Sequence, residues 1–226
     1  MSRSTEPGVV GAHDALIVMA KEPRPGFSKT RLAADVGQER AAALADAFAR
    51  DTLELAARGP WSARVAFAPS DAGAWFEAAA PDTLRAPQIG DGLGERLAAA
   101  FTAAFEAGAR RCLAIGTDCP QLEPSRIAAA FQALHDAEVC LGPAADGGYY
   151  LIGLGSLRSE PFDGIPWSTA DVLRVTQERC QAAGLGVALL PEEMDVDDGA
   201  GLAELRRVLD GRPGVAPRTR ALLLRG

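Results

Sequence analysis

The chain has 226 residues, a length typical of one α/β domain. Its formal net charge of −7 argues against general nucleic-acid binding, which requires a basic face. No apolar run approaches the roughly 20 residues of a membrane-spanning helix, so we expect no membrane span.

Residues 1–13 are polar and lack the apolar centre of a signal peptide, so we expect a loose tail there. The cysteines show no metal-binding spacing and lie in or beside apolar stretches: Cys112, Cys119, Cys140 and Cys180. They indicate reduced, mostly buried thiols of a cytoplasmic protein. Cys119 has no base nearby in the sequence, which favours a buried thiol over a nucleophile.

Apolar runs alternate with helical patterns along the chain, which predicts an α/β fold with a mostly parallel central sheet flanked by helices. The predicted strands are Ala15–Ala20, Ala63–Ala68, Leu84–Ile89, Cys112–Ile115, Val139–Leu141, Tyr149–Leu154 and Val187–Leu190. The predicted helices are Gln38–Arg58, one starting at Gly94, Arg126–Asp136, Thr169–Ala183 and Gly201–Leu209. We predict one domain over 14–210, and a tail over 211–226 that either forms a short helix or frays.

The loop after the first predicted strand carries four positive side chains in a net-acidic protein: Lys21, Arg24, Lys29 and Arg31. Two prolines and a glycine restrict its backbone, and a helical segment follows. Sheets of this kind bind ligands at the carboxyl ends of their strands, where a helix N-terminus adds amide donors. We therefore predict a polyphosphate site here. The alternative is a solvated surface.

Acidic side chains follow two later strands. Asp118 comes directly after Cys112–Ile115, and it is either a Mg²⁺ ligand or a cap of the next turn. Asp195 and Asp197 follow the last strand, and alternation along an extended segment places both on one side. Either of them completes a metal site with Asp118, with Asp197 favoured because it is nearest the turn. The alternative is a cluster that caps the following helix.

Three loops supply candidate contacts for the rest of the substrates. The loop from Gln88 to Arg96 contains Gly90 and Asp91 and precedes a helix, which suits contact with a base or ribose, although flexible loops have the same composition. A glycine turn lies between two strands and is a ligand contact or a simple hairpin turn: Asp146, Gly147 and Gly148. Another segment opens a helix and either caps it or lines an acceptor pocket: Trp167, Ser168 and Thr169.

Four motifs in this order resemble the DUF2064 family, which belongs to the nucleotide-diphospho-sugar transferase superfamily with the GT-A fold and is often labelled a glycosyltransferase. The motifs are Lys21-Glu22-Pro23…Gly26…Lys29-Thr30-Arg31-Leu32, Gly116-Thr117-Asp118-Cys119-Pro120, Asp146-Gly147-Gly148-Tyr149-Tyr150 and Pro166-Trp167-Ser168-Thr169. The resemblance covers roughly 15–209. The first two motifs are also similar to phospholactate and molybdenum-cofactor guanylyltransferases.

This resemblance implies roles for individual residues. Phosphates would be held by Lys21, Lys29 and Arg31, and Mg²⁺ (or Mn²⁺) by Asp118. The segment from Asp197 resembles the second metal-ligand segment of sugar-phosphate nucleotidyltransferases. The loop from Gln88 to Arg96 would contact the base. The acceptor would meet the turn at Asp146–Gly148 and Ser168. The chain departs from the Asp-x-Asp of metal-dependent glycosyltransferases, because it reads Asp-Cys-Pro from position 118.

The leading functional hypothesis is a Mg²⁺-dependent nucleotidyltransferase that joins a nucleoside triphosphate to a small phosphorylated acceptor and releases pyrophosphate. Catalytic roles fall on Lys29, Arg31 and Asp118. The second hypothesis is a glycosyltransferase that uses a nucleotide-diphospho-sugar, with Asp146 as base. The third is a nucleotide-binding regulatory domain without turnover. The sequence does not indicate the base, the acceptor or the oligomeric state.

Overall fold

The structure is a computed structural model, and it describes residues 13–224. Its strands are β1 (Asp14–Lys21), β2 (Ser62–Ala68), β3 (Leu84–Pro87), β4 (Arg111–Ile115), β5 (Val139–Pro143), β6 (Tyr149–Leu154) and β7 (Val187–Leu189). Its α-helices are α1 (Thr30–Val36), α2 (Gln38–Arg58), α3 (Gly73–Ala79), α4 (Leu93–Glu106), α5 (Pro124–Ala133), α6 (Val172–Ala182), α7 (Gly199–Leu209) and α8 (Pro217–Leu224). A short 3₁₀ helix spans Glu160–Phe162.

The strands pair into a single sheet in the order β3-β2-β1-β4-β6-β5-β7. Neighbouring strands are parallel except where β6 is involved, since β6 runs antiparallel to both β4 and β5. The predicted fold class, a mostly parallel sheet flanked by helices, is therefore confirmed. The loops after β1, β3, β4 and β7 and the turn between β5 and β6 all open on one edge of this sheet, here called the carboxyl edge.

Strand β1 lies near the middle of the sheet and is buried on both faces, which explains its continuous apolar sequence. Leu16 and Val18 face a core formed with α2, α3 and α5, whereas Ile17 faces a second core formed with α4 and α6. Fully buried aromatic rings occupy both cores, for example Phe131 in the first and Phe101 in the second. Burying such a ring contributes roughly 1.5–3 kcal/mol, so these helices are held firmly against the sheet.

A third apolar cluster packs the helices after β1 against the segments that follow β7. It contains Leu32 from α1, Phe48 from α2 and Leu205 from α7, together with Val196 from the segment after β7. Val196 is completely buried in this cluster, although an acidic residue stands on each side of it. The apolar anchor therefore holds the acidic segment against the helix that follows the cationic loop.

Several element boundaries match the sequence predictions, and the differences have local causes. Helix α2 has the predicted bounds. The predicted helix over Thr169–Ala183 begins only at Val172, because Ser168 has a left-handed backbone (φ 65°) and the Thr169 hydroxyl donates to the Pro166 carbonyl. Helix α7 begins two residues before its predicted start, since the Asp198 carboxylate accepts a hydrogen bond from the Gly201 amide and caps it.

The remaining expectations concern the chain ends and the membrane. The predicted tail over 1–13 lies outside the described residues except for His13. For the tail over 211–226 the sequence allowed either a short helix or a frayed end, and the structure has helix α8 there. Within the described range, none of the helices combines the length and apolar character that crossing a bilayer requires.

Helix α8 is attached to α2 through Asp51, a buried carboxylate. Its two oxygens accept hydrogen bonds from the Thr219 amide (2.9 Å), the Thr219 hydroxyl (2.8 Å) and the Arg218 amide (3.2 Å). These donors lie in the first turn of α8, where backbone amides lack partners within the helix. Asp51 therefore acts as a cap supplied by a neighbouring helix.

We predict that Asp51→Ala lowers the free energy of unfolding by about 2–3 kcal/mol, because buried donors lose a charged acceptor. The matched control is Asp46→Ala in the same helix, where a partly exposed ion pair with Arg50 is worth roughly 0.5 kcal/mol or less. Urea denaturation followed by circular dichroism measures both. Equal effects of the two substitutions would contradict the capping role of Asp51.

Candidate active site

The cationic loop after β1 is closed by its own hydrogen bonds. The Arg24 amide donates to the Ser28 hydroxyl, and that hydroxyl donates to the Glu22 carbonyl. The Arg24 guanidinium is engaged by the carboxylates of Glu22 and Asp71, so its charge is already paired within the protein. Lys29 has a left-handed backbone (φ 51°, ψ 50°) and starts α1. The loop thereby turns the Lys29 side chain inward, although lysine side chains usually remain in solvent.

The ammonium of Lys29 is the centre of the site. Its Nζ lies 2.6 Å from an Asp118 carboxylate oxygen, 3.0 Å from an Asp197 carboxylate oxygen and 2.7 Å from the Val196 carbonyl. Only 9% of the Lys29 side chain is exposed, and Nζ lies 5.9 Å from the centre of the Phe48 ring. An ammonium has three protons to donate. All three have acceptors within the protein, so in this structure Lys29 holds two aspartates in place.

The two acidic segments are joined directly to each other. The Val196 amide donates to the Asp118 carbonyl at 2.9 Å, and the buried side-chain amide of Gln121 donates to the Met194 carbonyl at 2.7 Å. The carboxylates of Asp118 and Asp197 are thus placed side by side by backbone contacts and by the buried Val196. The predicted convergence of Lys29, Asp118 and Asp197 at one sheet edge is what the structure shows.

Arg31 adds a second cation on the solvent side. Its guanidinium lies 2.7 Å from the other carboxylate oxygen of Asp197, and 75% of its side chain is exposed. Lys21, at the end of β1, is also exposed. These two side chains are exposed to solvent, although Arg31 is also paired with Asp197, whereas Lys29 is buried and Arg24 is held by two carboxylates. The structure therefore divides the predicted cations into positioning groups and accessible groups.

The charges shift several pKa values in opposite directions. Burial lowers the pKa of Lys29, but the carboxylates of Asp118 and Asp197 outweigh it and raise that pKa above its usual value. Burial raises the pKa of Asp197, but Lys29 and Arg31 outweigh it and lower that pKa. Asp195 behaves differently, because burial and the nearby charge of Asp146 raise its pKa. Asp197 is therefore the more readily ionised member of the pair that the sequence left open.

The acidic pair fits a divalent cation of the magnesium type. Across residues 13–224, no three or more His, Cys, Asp or Glu side chains are arranged to hold a metal ion by themselves. Mg²⁺ commonly uses only one or two carboxylates and takes its other ligands from phosphate and water. Asp118 and Asp197 supply two adjacent carboxylates, and half of the Asp118 side chain is exposed. This donor set suits a metal that arrives together with a phosphate ester.

The predicted base-contacting loop is tied to the same edge. The Gln88 side-chain amide donates to the carbonyls of Ala20 (3.3 Å) and Ala66 (2.9 Å), at the ends of β1 and β2. The Arg96 guanidinium donates to the Gly90 carbonyl at 2.9 Å, and the Asp91 amide donates to the Glu95 carboxylate. The donors of Gln88 thus shape the loop. Gly90, with φ 122°, and Asp91 are both exposed, but the Gly90 carbonyl and the Asp91 amide are already hydrogen-bonded within the protein.

The predicted acceptor segments contact each other and the base-contacting loop. The Asp146 carboxylate accepts a hydrogen bond from the Gly148 amide, which forms the turn between β5 and β6. Gly147 has φ 88°, and a Cβ there would lie 2.2 Å from the Ala170 carbonyl oxygen, so only glycine fits this contact. A Cβ on Gly94 would lie 2.6 Å from the Trp167 indole nitrogen. Trp167 therefore packs directly on the start of α4.

Two residues of this segment have specific local roles. Ser168 is one of three described non-glycine residues with positive φ, a strained conformation, and its side chain is exposed. Thr169 donates to the Pro166 carbonyl and accepts from the Asp171 amide, so it stabilises the turn before α6. The structure thus favours the capping interpretation for Thr169 and leaves Ser168 accessible.

Sequence reasoning missed two structural members of the site. Gln121 is 2% exposed and joins the Asp118 segment to the Asp197 segment, but a glutamine after Asp-Cys-Pro carries no distinctive signal. Gly94 is buried because Trp167 packs on it, a contact between residues distant in sequence. The interpretation of Cys119 agrees with its environment, since burial and then Asp118 raise the pKa of this thiol well above its usual value.

The comparisons with known proteins agree with this architecture. The model of the DUF2064 family, described as "uncharacterized protein conserved in bacteria", matches residues 52–169. No curated protein matches the sequence. A solved structure from Desulfovibrio desulfuricans G20, described as a proposed nucleotide-diphospho-sugar transferase, is 35% identical, with a TM-score of 0.89 and 95% coverage of each chain.

Two more distant structures share the fold alone. CMP:2-keto-3-deoxy-manno-octonic acid synthetase complexed with CTP is 15% identical, with a TM-score of 0.54, and the match covers 89% of this chain and all of the other. The inositol-1-phosphate CTP transferase of T. maritima is 12% identical, with a TM-score of 0.51, and the match covers 91% and 98%. The predicted fold, that of the nucleotide-diphospho-sugar transferase superfamily, is therefore confirmed.

We predict that Lys29→Met lowers the free energy of unfolding by about 2 kcal/mol at pH 7 in metal-free buffer, since two carboxylates lose their cation. Asp197 has a lower pKa in the folded protein than in the unfolded chain, where it is about 3.9. Its pairing with Lys29 therefore stabilises the fold fully above that unfolded pKa, and this stabilisation is lost as the pH falls through the folded pKa. Lys29 has a higher pKa in the folded protein than in the unfolded chain, where it is about 10.4. Its charge therefore stabilises the fold fully below about pH 10.4, and this stabilisation is lost only as the pH rises through the folded pKa.

Urea denaturation of both proteins between pH 3 and pH 9 measures this difference. The gap between wild type and Lys29→Met should be constant from about pH 5 to pH 9 and should shrink below about pH 4. Arg207→Met, which removes an exposed partner of Glu204, is the control and should change stability by less than roughly 1 kcal/mol. A gap that stays unchanged down to pH 3 would mean that Lys29 contributes only through packing.

Proposed function

This chain belongs to the DUF2064 family, and we propose that it is a nucleotide-dependent transferase, specifically a Mg²⁺-dependent nucleotidyltransferase that joins a nucleoside triphosphate to a small phosphorylated acceptor. The observation that carries the proposal is the grouping of Asp118 and Asp197 around Lys29, beside the exposed cation Arg31. Lys21 is a further exposed cation, at the end of β1. Two neighbouring carboxylates next to exposed cations suit a metal-bound triphosphate.

The proposed reaction is a displacement at the α-phosphorus. An oxygen of the acceptor phosphate forms a bond to this phosphorus, and the bond to the pyrophosphate oxygen breaks, so pyrophosphate leaves with both electrons of that bond. An acceptor phosphate is already ionised at neutral pH, and no protein base is needed. Catalysis then rests on positioning and on stabilising charge.

Each group of the site has a proposed part in this step. Asp118 and Asp197 would hold the metal, which supplies Lewis-acid stabilisation of phosphate charge when bound. Lys29 keeps both carboxylates ionised and oriented. Arg31 and Lys21 bind the β- and γ-phosphates and stabilise the leaving pyrophosphate.

The remaining segments would recognise the two organic parts of the substrates. The loop from Gln88 to Arg96 offers the backbone of Gly90 and the carboxylate of Asp91 to a base or ribose. The turn at Asp146–Gly148 and the segment with Trp167 and Ser168 face the acceptor. A phosphorylated acceptor is supported by the fold neighbour from T. maritima, which is described as an inositol-1-phosphate CTP transferase. The four cysteines are unpaired, in keeping with the proposed cytoplasmic location.

A second candidate is a glycosyltransferase that uses a nucleotide-diphospho-sugar. The description of the Desulfovibrio structure favours it, because that structure matches 95% of the chain. Asp146 would then act as base toward an acceptor hydroxyl, and its exposure at the β5–β6 turn suits that role. Against it stands the sequence Asp-Cys-Pro from position 118, where Pro120 occupies the place of the second acid of an Asp-x-Asp motif and has no carboxylate.

We predict that the wild-type protein with Mg²⁺ releases pyrophosphate from one of the four common nucleoside triphosphates when small phosphomonoesters are supplied as acceptors. Asp118→Asn should reduce this rate at least 100-fold, because a neutral amide is a poor Mg²⁺ ligand. Release of a nucleoside diphosphate from a nucleotide-sugar, without pyrophosphate from any triphosphate, would favour the glycosyltransferase. Nucleotide binding without turnover of either substrate class would identify a regulatory domain.

We predict that Arg31→Ala weakens Mg²⁺-triphosphate binding by about tenfold, since one charge-assisted contact to phosphate is lost. The matched control is Arg207→Ala, because both arginine side chains are 75% exposed and each has one acidic partner. Isothermal titration calorimetry measures both affinities. The same affinity in the two variants would remove Arg31 from the phosphate site.

A further inference from the structure

A cavity of about 290 Å³ lies on the α4 side of the sheet, away from the Lys29 cluster. Its floor is formed by β2 and β3, with Ala66 and Ala86 among the contributing residues, and its wall is the alanine face of α4 at Ala99, Ala100 and Ala103. The Lys29 cluster instead packs with Phe48 of α2, which belongs to the apolar cluster beside the sheet. The cavity is therefore a separate feature, of a size at the lower end of small-molecule pockets, which start near 300 Å³.

The cavity contains a buried cationic nitrogen without a partner. Arg64 lies on β2 between Ile17 of β1 and Leu84 of β3, and all three residues line the cavity. The Nε atom of Arg64 is buried and has no hydrogen-bond partner. No hydrogen bond or ion pair joins its guanidinium to any of the residues 13–224. Buried donors are normally paired, so the unpaired Nε of the half-buried Arg64 indicates room for an acceptor from outside the chain.

The charges of the residues that line the cavity indicate that its ligand is negatively charged. Three arginines line the cavity, and none of its lining residues is acidic, although the chain has a net charge of −7. Arg85 is engaged by the Glu77 carboxylate and by the carbonyls of Pro81 and Thr83. Arg96 donates to the Gly90 carbonyl. Arg64 is thus the arginine of the lining whose donors remain available to an anion.

We propose that this cavity binds a small amphiphilic anion, with its carboxylate or phosphate head on Arg64 and its apolar body against the alanines of α4. A guanidinium offers paired donors that match either head group. A hydrocarbon chain or an aromatic ring that covers the apolar wall removes apolar surface from water, which favours binding. A purely apolar ligand would leave Arg64 unpaired, and a purely ionic one would leave the wall exposed.

This site does not depend on the proposed transferase activity, but it borders the base-contacting loop. Gln88, Ile89 and Arg96 line its upper end at the carboxyl edge. Gln88 holds the ends of β1 and β2, and Arg96 fixes the carbonyl of Gly90. A molecule in the cavity therefore contacts the residues that shape the loop, without touching Asp118 or Asp197.

The test uses the full chain without nucleotide and three probes of equal chain length: octanoate, octyl phosphate and 1-octanol. Isothermal titration calorimetry should show at least tenfold tighter binding of one of the two anions than of the alcohol, and the tighter anion identifies the head group. Arg64→Met should weaken binding of that anion at least tenfold and leave 1-octanol unaffected. The control Arg85→Met should change anion binding less than threefold, because its guanidinium is already paired.

A second variant tests the apolar wall independently of the charge. Ala103→Leu narrows the cavity and should weaken binding of the anion and of 1-octanol alike, with folding checked by circular dichroism. Equal affinities for the anions and the alcohol, or unchanged anion binding in Arg64→Met, would overturn the proposal. Displacement of the bound anion by cytidine or guanosine would also overturn it, because the cavity would then belong to the nucleotide site.

Discussion

The candidate site depends on one buried ammonium placed between two carboxylates. Asp118 and Asp197 contact the same ammonium and would repel each other without it, and the acidic character of the whole chain would add to that repulsion. Lys29 removes this cost because its Nζ lies within 3.0 Å of both. The cation is expensive to bury, and it is tolerated because all three of its protons have acceptors. The arrangement is therefore stable only while all three charged groups are present.

Apolar packing, rather than charge, brings these groups into range. Val196 is buried among residues of α1, α2 and α7, and its amide donates to the Asp118 carbonyl. The acids on either side of Val196 are then directed back toward the sheet edge. The same edge is extended by Gln88, which joins the ends of β1 and β2, and by Trp167, which packs on Gly94. These segments are therefore joined to one another or to the ends of the strands instead of forming separate loops.

The sequence was sufficient to predict the fold class because β1 is buried on both faces, which produces an uninterrupted apolar run, and because helical periodicity marks α2 and α4 clearly. It also indicated which loops meet, since the carboxyl ends of parallel strands share an edge. It was not sufficient to show that Lys29 faces inward, because that follows from a left-handed backbone and from Val196, a tertiary contact. Local sequence patterns do not predict that Gln121 joins the two acidic segments or that Trp167 packs on Gly94, because both contacts join residues far apart in sequence.

The contact between Trp167 and Gly94 has an evolutionary consequence. The indole occupies the volume that any side chain at position 94 would need, so the two positions cannot vary freely. One of them opens the helix after the base-contacting loop, and the other lies in the proposed acceptor segment. A lineage that enlarges position 94 must also move or shrink the side chain at position 167, and this couples the histories of the two segments. Among homologous proteins, substitutions at positions 94 and 167 are therefore expected to appear together.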